Sequence, residues 1–181
     1  DKIEKTQSAT IHELAKKLAK ILADGGILYT FGTGHSHMMA EEPMARAGGL
    51  IQVKGIMEPE LMDLHRNKST HIERLPGYAE LVFNLHGIRQ KDALLIISNS
   101  GRNPAPVEMA LKAKKEGILT IALTNIAHSN SVTSRDPSGK RLFEICDYVL
   151  DNCGIPGDAA LAVEGRPYRV SPTSTIAGAV I

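Results

Sequence analysis

The sequence has little of several things that would narrow its class. It has no tryptophan, few aromatic residues of any kind, and only two cysteines among 181 residues, Cys146 and Cys153. Two cysteines with six residues between them form neither a disulfide framework nor a common zinc-binding pattern. They favour a reducing, cytoplasmic environment, with Cys146 in the core and Cys153 without a role in chemistry.

Neither sign of charge is in excess. Lysine and arginine total 21 against 20 for aspartate and glutamate, so the chain lacks the basic surface that nucleic acids or anionic membranes attract. No apolar run approaches the 18 residues of a membrane span. We therefore expect no nucleic-acid partner and no membrane partner, and a small molecule as ligand. The last residues, STIAGAVI, carry no helix-stop signal, and we expect further chain beyond Ile181.

What is present is a regular alternation of short apolar runs and amphipathic segments. The runs lie at 27–31, 50–56, 93–98, 118–123 and 148–152. Helical periodicity is found before Gly25, after the first run through Ala47, at 78–85, and before Gly117. The pattern predicts an α/β fold, a flavodoxin-like three-layer αβα sandwich with a five-stranded parallel sheet, in one domain spanning 1–181.

The polar segment 57–76 has no sustained period, so we interpret it as a partly helical excursion or lid. His65, Arg66, His71 and Arg74 in it are candidates to face a ligand, or are solvated surface.

A serine loop, SNSGRN, follows the third predicted strand and precedes a helix that begins at Asn103-Pro104. The hydroxyls of Ser98 and Ser100, the guanidinium of Arg102 and the loop amides would meet the positive end of that helix, and Gly101 would let the backbone approach an anion closely. A phosphate monoester fits such donors. The alternative is that these residues only form a strand-to-helix turn. The residues predicted to bind phosphate here are Ser98, Asn99, Ser100, Gly101, Arg102 and Asn103.

A second loop, GTGHSH, follows the first strand. It matches neither the dinucleotide fingerprint nor a P-loop, but Gly34, His35 and Ser36 are placed to bind the same ligand. His37, Glu41 and Glu42 on the following helix are candidates for proton transfer, because isomerisation of a sugar requires a base beside the carbonyl. The alternative is that both glutamates face solvent or pair with Arg46. His35, His37 and Glu41 lack a further ligand of diagnostic spacing, so we predict no metal and no cofactor.

Three of these stretches together, FGTGHS, IISNSGRN and IALTN, resemble the SIS domain, the sugar isomerase module that binds phosphosugars. The resemblance runs from about Ala9 to the end. It is closest to a largely uncharacterised branch with stretches like HMMAEEPMARAGG and SPTSTIAG, and looser to the phosphoheptose isomerases.

The resemblance implies that Ser98, Ser100 and Asn103 bind phosphate with Thr124 at the next strand end, and that Ser36 binds the phosphate or a sugar hydroxyl. It also implies that Ser171, Thr173 and Ser174 close the pocket, and that a homodimer or homotetramer completes the site. The isomerases often use a histidine from a C-terminal helix, whereas no histidine follows His128 here.

The expected function is therefore binding of a sugar phosphate, with aldose-ketose isomerisation as the expected reaction. A sensor that binds without turnover is an alternative. A lyase acting on an amino-sugar phosphate is another.

Overall fold

The structure is a computed structural model that describes residues 2–64 and 68–181, so His65 and Arg66 lie outside the described residues. Five parallel strands form one sheet in the order β2-β1-β3-β4-β5. Their bounds are β1 Leu28–Gly32, β2 Val53–Ile56, β3 Ala93–Ile97, β4 Leu119–Thr124 and β5 Tyr148–Asp151. The predicted parallel sheet of five strands is confirmed.

Seven helices and a small hairpin complete the described chain. The helices are α1 Lys2–Ala23, α2 Ser36–Glu41, α3 Lys68–Ile72, α4 Tyr78–His86, α5 Pro104–Lys115, α6 Ile126–Asn130 and α7 Ser174–Val180. The hairpin pairs β6 Leu161–Ala162 with β7 Arg169–Val170 in antiparallel register, and 3-10 turns lie at Pro59–Leu61 and Leu142–Glu144. None of the described helices is both long and apolar enough to cross a membrane.

The sheet is buried on both faces because its strands are apolar at successive positions. In β3, Leu94 and Ile96 pack with Phe83 and Met109 of α4 and α5 on one face. Leu95 and Ile97 point to the other face, where Leu14 of α1 belongs to the second core cluster. Two helical layers on one sheet confirm the three-layer αβα sandwich.

Helix α2 is shorter than the sequence predicts. The periodicity extends it to Ala47, but it ends at Glu41, and Pro43 is the reason. Proline lacks an amide hydrogen and its ring restricts the preceding residue, so the helix stops before it. Ala45 then adopts a positive φ of 51°, and the chain turns back toward β2.

The register of the sheet brings the functional loops together. Gly32 of β1 is level with Ile97 of β3, Ile97 with Leu123 of β4, and Thr124 with Asp151 of β5. The loops that leave these four strands therefore start side by side at the carboxyl edge, which is where open α/β sheets bind ligands.

The described part of segment 57–76 is hydrogen-bonded to the GTGHSH loop and to the serine loop. Leu61 accepts a hydrogen bond through its carbonyl from the Gly34 amide at 2.8 Å. Glu73 accepts from the Thr33 hydroxyl at 2.5 Å and from the Asn103 side-chain amide at 2.8 Å. Its helical content agrees with the prediction. A lid function for the segment stays a prediction.

Candidate functional site

The serine loop leaves the end of β3 with several donors unpaired. Gly101 has a φ of 57°, and its amide donates to the Ser98 hydroxyl oxygen at 3.1 Å, which folds the loop on itself. The amides of Asn99, Ser100, Arg102 and Asn103 have no acceptor in the part of the chain that the structure describes. Successive unpaired amides in one turn are the kind of donor set that binds anions in proteins, so phosphate binding by this loop stays a prediction.

The loop is braced from β4 and from the segment behind it. The buried Thr124 hydroxyl donates to the carbonyl of Ser98 at 2.7 Å and to that of Asn99 at 3.3 Å. The Leu142 amide donates to the Gly101 carbonyl at 2.8 Å. The structure shows the Thr124 hydroxyl supporting the loop backbone, and its predicted role as a phosphate ligand stays a prediction. A loop held in this way keeps its amides oriented before a ligand arrives.

Asn103 occupies the predicted N-cap position of α5, with Pro104 at the first helical position, but its side chain makes no cap hydrogen bond. Its side-chain amide donates to Glu73, and its oxygen accepts from Arg135 at 2.9 Å. Pro104 and Pro106 remove first-turn amides, so less remains for a side-chain cap to satisfy. The side chain of Asn103 is therefore engaged, and its main-chain amide is the donor that stays free for a ligand.

Arginines surround this end of the loop. The Arg102 Nε is buried without a partner among the described residues, and the Arg135 amide donates to the Arg102 carbonyl at 2.8 Å. Burial lowers the pKa of Arg135, and the nearby charges of Arg102 and Arg74 lower it further. The cationic side chains add positive potential beside the loop, which favours an anion there.

A cleft of about 170 Å³ opens beside the serine loop, between α2 and α7. The residues that line it are His35, Ser36, Met39, Ile97, Asn99, Leu123, Asn152, Asp158, Ser174, Thr175 and Gly178. Asn152 donates through its side chain to the Asn99 side-chain oxygen at 2.9 Å, so both amide groups are held at the base of the cleft. Predicted residues from three separate loops meet here.

The three residues predicted to transfer a proton, in α2 and just after it, lie in different environments. His37 is buried, and its Nδ1 donates to the Gly34 carbonyl at 2.5 Å, which holds the turn of the loop. Glu41 and Glu42 are exposed beside Met38 and Met44, in a surface depression separate from the cleft. Glu42 forms an ion pair with Arg46. This agrees with the alternative interpretation of the sequence, in which the glutamates face solvent or pair with Arg46. The catalytic roles of Glu41, Glu42 and His37 stay predictions.

The C-terminal residues reach the cleft through a contact that the sequence did not reveal. Asp158 adopts a positive φ of 52°, and its Oδ1 accepts from the amides of Thr173 and Ser174 at 3.0 and 2.8 Å. Its carboxylate thus caps α7, not a helix next to it in sequence. Ser174 lines the cleft, whereas Ser171 and Thr173 do not. The Ser171 carbonyl accepts a hydrogen bond from the Ala160 amide.

His128 lies behind the same turn. Its Nδ1 accepts a hydrogen bond from the Gly157 amide at 3.1 Å, so the neutral ring carries its proton on Nε2. Burial lowers the pKa of His128, the charge of Asp158 opposes this, and Arg102 adds to the lowering. The ring is therefore a neutral support for the turn that carries Asp158.

Within residues 2–64 and 68–181, no three histidine, cysteine, aspartate or glutamate side chains are grouped so as to hold a metal ion. The donors that do converge are amides, hydroxyls and carboxamides. Such groups bind an uncharged polyol and an anionic ester.

Comparison with known sequences shows the family to which the chain is similar. The model of the SIS domain matches residues 1–125. A UPF0309 protein of Halalkalibacterium halodurans is 45% identical over 178 residues, which cover 97% of this chain and 73% of the relative. A UPF0309 protein of Geobacillus thermodenitrificans is 41% identical, with 98% of this chain and 72% of the relative covered.

A solved structure shares the fold at low sequence identity. Phosphoheptose isomerase GmhA from Neisseria gonorrhoeae superimposes with a TM-score of 0.59 at 20% identity, covering 86% of this chain and 77% of that one. At this identity the likeness concerns the fold alone. The parallel sheet with helices on both faces is the fold that the two proteins share.

Proposed function

Because the chain belongs to the SIS domain family, we propose that it binds a sugar phosphate in the cleft beside the serine loop and interconverts the aldose and ketose forms of that sugar. The observation that carries the proposal is the serine loop itself. Four amides and the Ser100 hydroxyl are without partners in the described chain, and they lie at the carboxyl edge of the sheet. A phosphate monoester accepts up to that many hydrogen bonds at once.

The neighbouring cleft supports the sugar part of the proposal. Asn99, Asn152 and Ser174 supply carboxamide and hydroxyl groups on its walls, while Ile97, Met39 and Leu123 supply apolar surface. A sugar presents hydroxyls at its edge and C-H groups on its faces, so a mixed wall of this kind matches it. The volume of about 170 Å³ suits a single small sugar rather than a chain of them.

Binding is tested by thermal shift with fructose 6-phosphate, ribulose 5-phosphate and inorganic phosphate, each beside its unphosphorylated counterpart where one exists. At a concentration one hundred times its Kd, a ligand stabilises the folded state by about 2.7 kcal/mol. We expect stabilisation by the phosphorylated compounds only. Equal stabilisation by fructose and fructose 6-phosphate would refute the assignment of the serine loop.

Ser100→Ala is the variant of choice for that test. The Ser100 hydroxyl has no partner within the described residues, so its removal leaves the loop intact, whereas Ser98→Ala also removes the acceptor of the Gly101 amide. We expect Ser100→Ala to lose most of the phosphate-dependent shift while unfolding at the wild-type temperature. Ser8→Ala, on α1 and outside the residues that line the cleft, is the control and is expected to bind as wild type does.

A second function, sensing without turnover, is favoured by one specific observation. Glu41 and Glu42 lie outside the cleft, and Asp158 inside it is held by four hydrogen bonds from Thr173 and Ser174. No carboxylate in the described cleft is therefore unengaged. Isomerisation is tested by hydrogen exchange in D2O, since a proton removed from carbon is replaced by deuterium. A sensor would bind the same compounds without exchange.

The protein is further proposed to be a cytoplasmic homodimer or homotetramer. Leu50 and Ile51, between α2 and β2, are 59% and 93% exposed, and they adjoin Met44 in a shallow apolar depression. Exposed apolar clusters of this kind mark association surfaces. Light scattering after gel filtration tests the proposal, and a strictly monomeric protein at micromolar concentration would contradict it.

A further inference from the structure

Three polar side chains form a hydrogen-bonded chain that reaches the cleft through His35. The Ser69 hydroxyl donates to Oδ1 of Asp63 at 2.5 Å, and Nδ1 of His35 lies 2.6 Å from Oδ2 of the same carboxylate. The residues come from three places in the sequence: the loop after β1, the segment after the first 3-10 turn, and helix α3. Only the folded chain brings them together.

The anchor of this chain is buried and its end is open. Ser69 is 1% exposed, whereas the side chain of Asp63 is 30% exposed and that of His35 is 74% exposed. The buried hydroxyl holds one carboxylate oxygen, so the other is presented to the imidazole in a fixed direction. A carboxylate in contact with one ring nitrogen fixes both the tautomer and the orientation of a histidine.

The tautomer follows from the chemistry of the acceptor. Ionised Asp63 can only accept, so Nδ1 of His35 carries a proton. The lone pair of the neutral ring is then on Nε2, which has no hydrogen-bond partner among the residues that the structure describes. Because His35 also lines the cleft, that lone pair is accessible to a molecule bound there.

The other titratable groups near the cleft are occupied or point elsewhere. Both carboxylate oxygens of Asp158 are engaged with the start of α7. Glu41 and Glu42 line a separate surface depression. His35 is thus the titratable group in the described cleft wall that keeps an unengaged proton-accepting atom.

We infer that His35 is the acid-base residue of the cleft and that Asp63, anchored by Ser69, is its positioning residue. The inference rests on the proposed function, since it names the group that would move the proton during isomerisation. It replaces neither the serine loop as the phosphate site nor the cleft as the sugar site.

The isomerisation can be completed with two groups that transfer protons, the His35 imidazole and the substrate's own O1 hydroxyl. Neutral Nε2 takes a proton from C1 of a ketose phosphate, the C-H electron pair forms the C1=C2 bond, and the carbonyl π pair moves to O2. The protonated ring then returns its proton to C2, which receives the C1=C2 electron pair. The hydroxyl proton of O1 passes to O2 as the O1 lone pair forms the new carbonyl at C1. The Asp63 charge stabilises the imidazolium between the two steps.

The first test needs no substrate. In protein labelled with 15N at histidine, the Nδ1 and Nε2 shifts report which nitrogen of the neutral ring carries the proton. We expect His35 to be the Nδ1-H tautomer in the wild type and to revert to the Nε2-H form in Asp63→Ala. Asp63→Ala removes the His35 ion pair, which contributes little to stability, and the acceptor of the buried Ser69 hydroxyl, whose loss destabilises the folded protein. We therefore expect the variant to fold with a lowered Tm. A wild-type ring with its proton on Nε2 overturns the inference even if sugar phosphates bind.

The second test separates catalysis from binding. His35→Gln keeps a polar side chain of similar length but cannot carry a proton between carbons, and we expect hydrogen exchange of fructose 6-phosphate or ribulose 5-phosphate in D2O to fall by about 10²- to 10⁴-fold. The thermal shift with the same compound is expected to stay at the wild-type value. Asp63→Asn is expected to lower kcat with little change in KM. His12→Gln, on the exposed face of α1, is the control.

The outcomes separate this inference from the proposed function. Wild-type exchange in His35→Gln overturns the role of His35 alone. Phosphate-dependent stabilisation with no exchange of any probe by the wild type overturns catalysis and leaves phosphosugar binding in place. If phosphorylated compounds fail to stabilise the wild type, the proposed function itself fails.

Discussion

Asp158 holds Ser174 by both of its carboxylate oxygens. Oδ1 accepts from the Ser174 amide at 2.8 Å, and Oδ2 accepts from the Ser174 hydroxyl at 2.6 Å. The capping residue is 16 positions before the helix residue it serves, and the β6-β7 hairpin lies between them. The hairpin and α7 are thereby closed onto the same wall of the cleft.

Removing that cap is expected to weaken both the protein and its ligand site. Asp158→Ala loses the acceptor of two amides and puts alanine at a φ of 52°, which should cost about 1–2 kcal/mol and lower Tm by about 2–8 °C. Asp158→Asn is the matched control, because asparagine tolerates positive φ and keeps one acceptor oxygen. Thermal denaturation measures both. Equal losses in the two variants would contradict a capping role.

Gly101→Ala tests whether the serine loop needs its glycine for space as well as for φ. An added Cβ would lie 3.0 Å from the Leu142 Cβ and 3.3 Å from the Thr124 hydroxyl, at a φ of 57°. Gly139→Ala places alanine at a φ of 71° with nothing within 4 Å, so it carries the backbone strain alone, about 1–2 kcal/mol. We expect Gly101→Ala to lose clearly more stability than Gly139→Ala in urea unfolding, together with its phosphate-dependent shift.

Thr124→Val removes the hydroxyl that supports the serine loop while keeping the shape of the side chain. The carbonyls of Ser98 and Asn99 lose a buried donor, which should cost about 1–3 kcal/mol. Thr124→Ser keeps the hydroxyl and is the control. If Thr124→Val binds phosphorylated ligands as tightly as wild type, the bracing is not needed for binding. Isothermal titration measures the Kd of each variant and of the wild type, at a temperature where all of them are folded to the same extent.

His128 makes stability depend on pH in a defined direction. Its pKa is lowered in the folded protein, so below the ordinary value of 6.5 the unfolded chain binds more protons and stability falls as pH falls. Protonation also removes the acceptor of the Gly157 amide. When the pH is lowered from 7.5 to 5.5, we expect the Tm of His128→Gln to fall less than the Tm of the wild type. The difference between the two decreases should be about 2–4 °C. His12→Gln should follow the wild type, and a parallel His128→Gln curve would contradict the assignment.

The two cysteines are expected to differ sharply in reactivity. Burial raises the pKa of the Cys146 thiol to about 12, so at pH 8 only about one thiol in 10⁴ is ionised. Iodoacetamide should modify Cys153 first and leave Cys146 intact until the protein unfolds. Mass spectrometry of the modified peptides distinguishes the two sites. Rapid modification of Cys146 in the folded protein would contradict a raised thiol pKa.

Much of the architecture was readable from local pattern. Strands β3, β4 and β5 begin and end within a residue of the apolar runs that predict them. The errors came from competing local signals. The second run starts at Leu50, but the strand starts at Val53, because Leu50 and Ile51 are exposed in a turn. The helix predicted through Ala47 ends at Glu41 because Pro43 outweighs the periodicity.

The site was less predictable, for a reason that particular residues show. Thr124 and Asn103 are predicted to bind phosphate, and in the structure their side chains form hydrogen bonds with Ser98 and with Glu73. A hydroxyl or amide that braces a loop has the same sequence signature as one that binds a ligand. Glu41 likewise lies near the loop in sequence, but in the structure it is exposed and lines a depression separate from the cleft.

By itself, the sequence determined the parallel sheet, the helices on both faces, and the two loops at its carboxyl edge. These depend on apolar periodicity and on glycine, proline and serine at turns, which act over a few residues. Only the tertiary structure decided which side chains share the cleft. The contacts of His35 with Asp63 and of Asp158 with Ser174 join residues distant in the chain, and such contacts depend on how the elements pack.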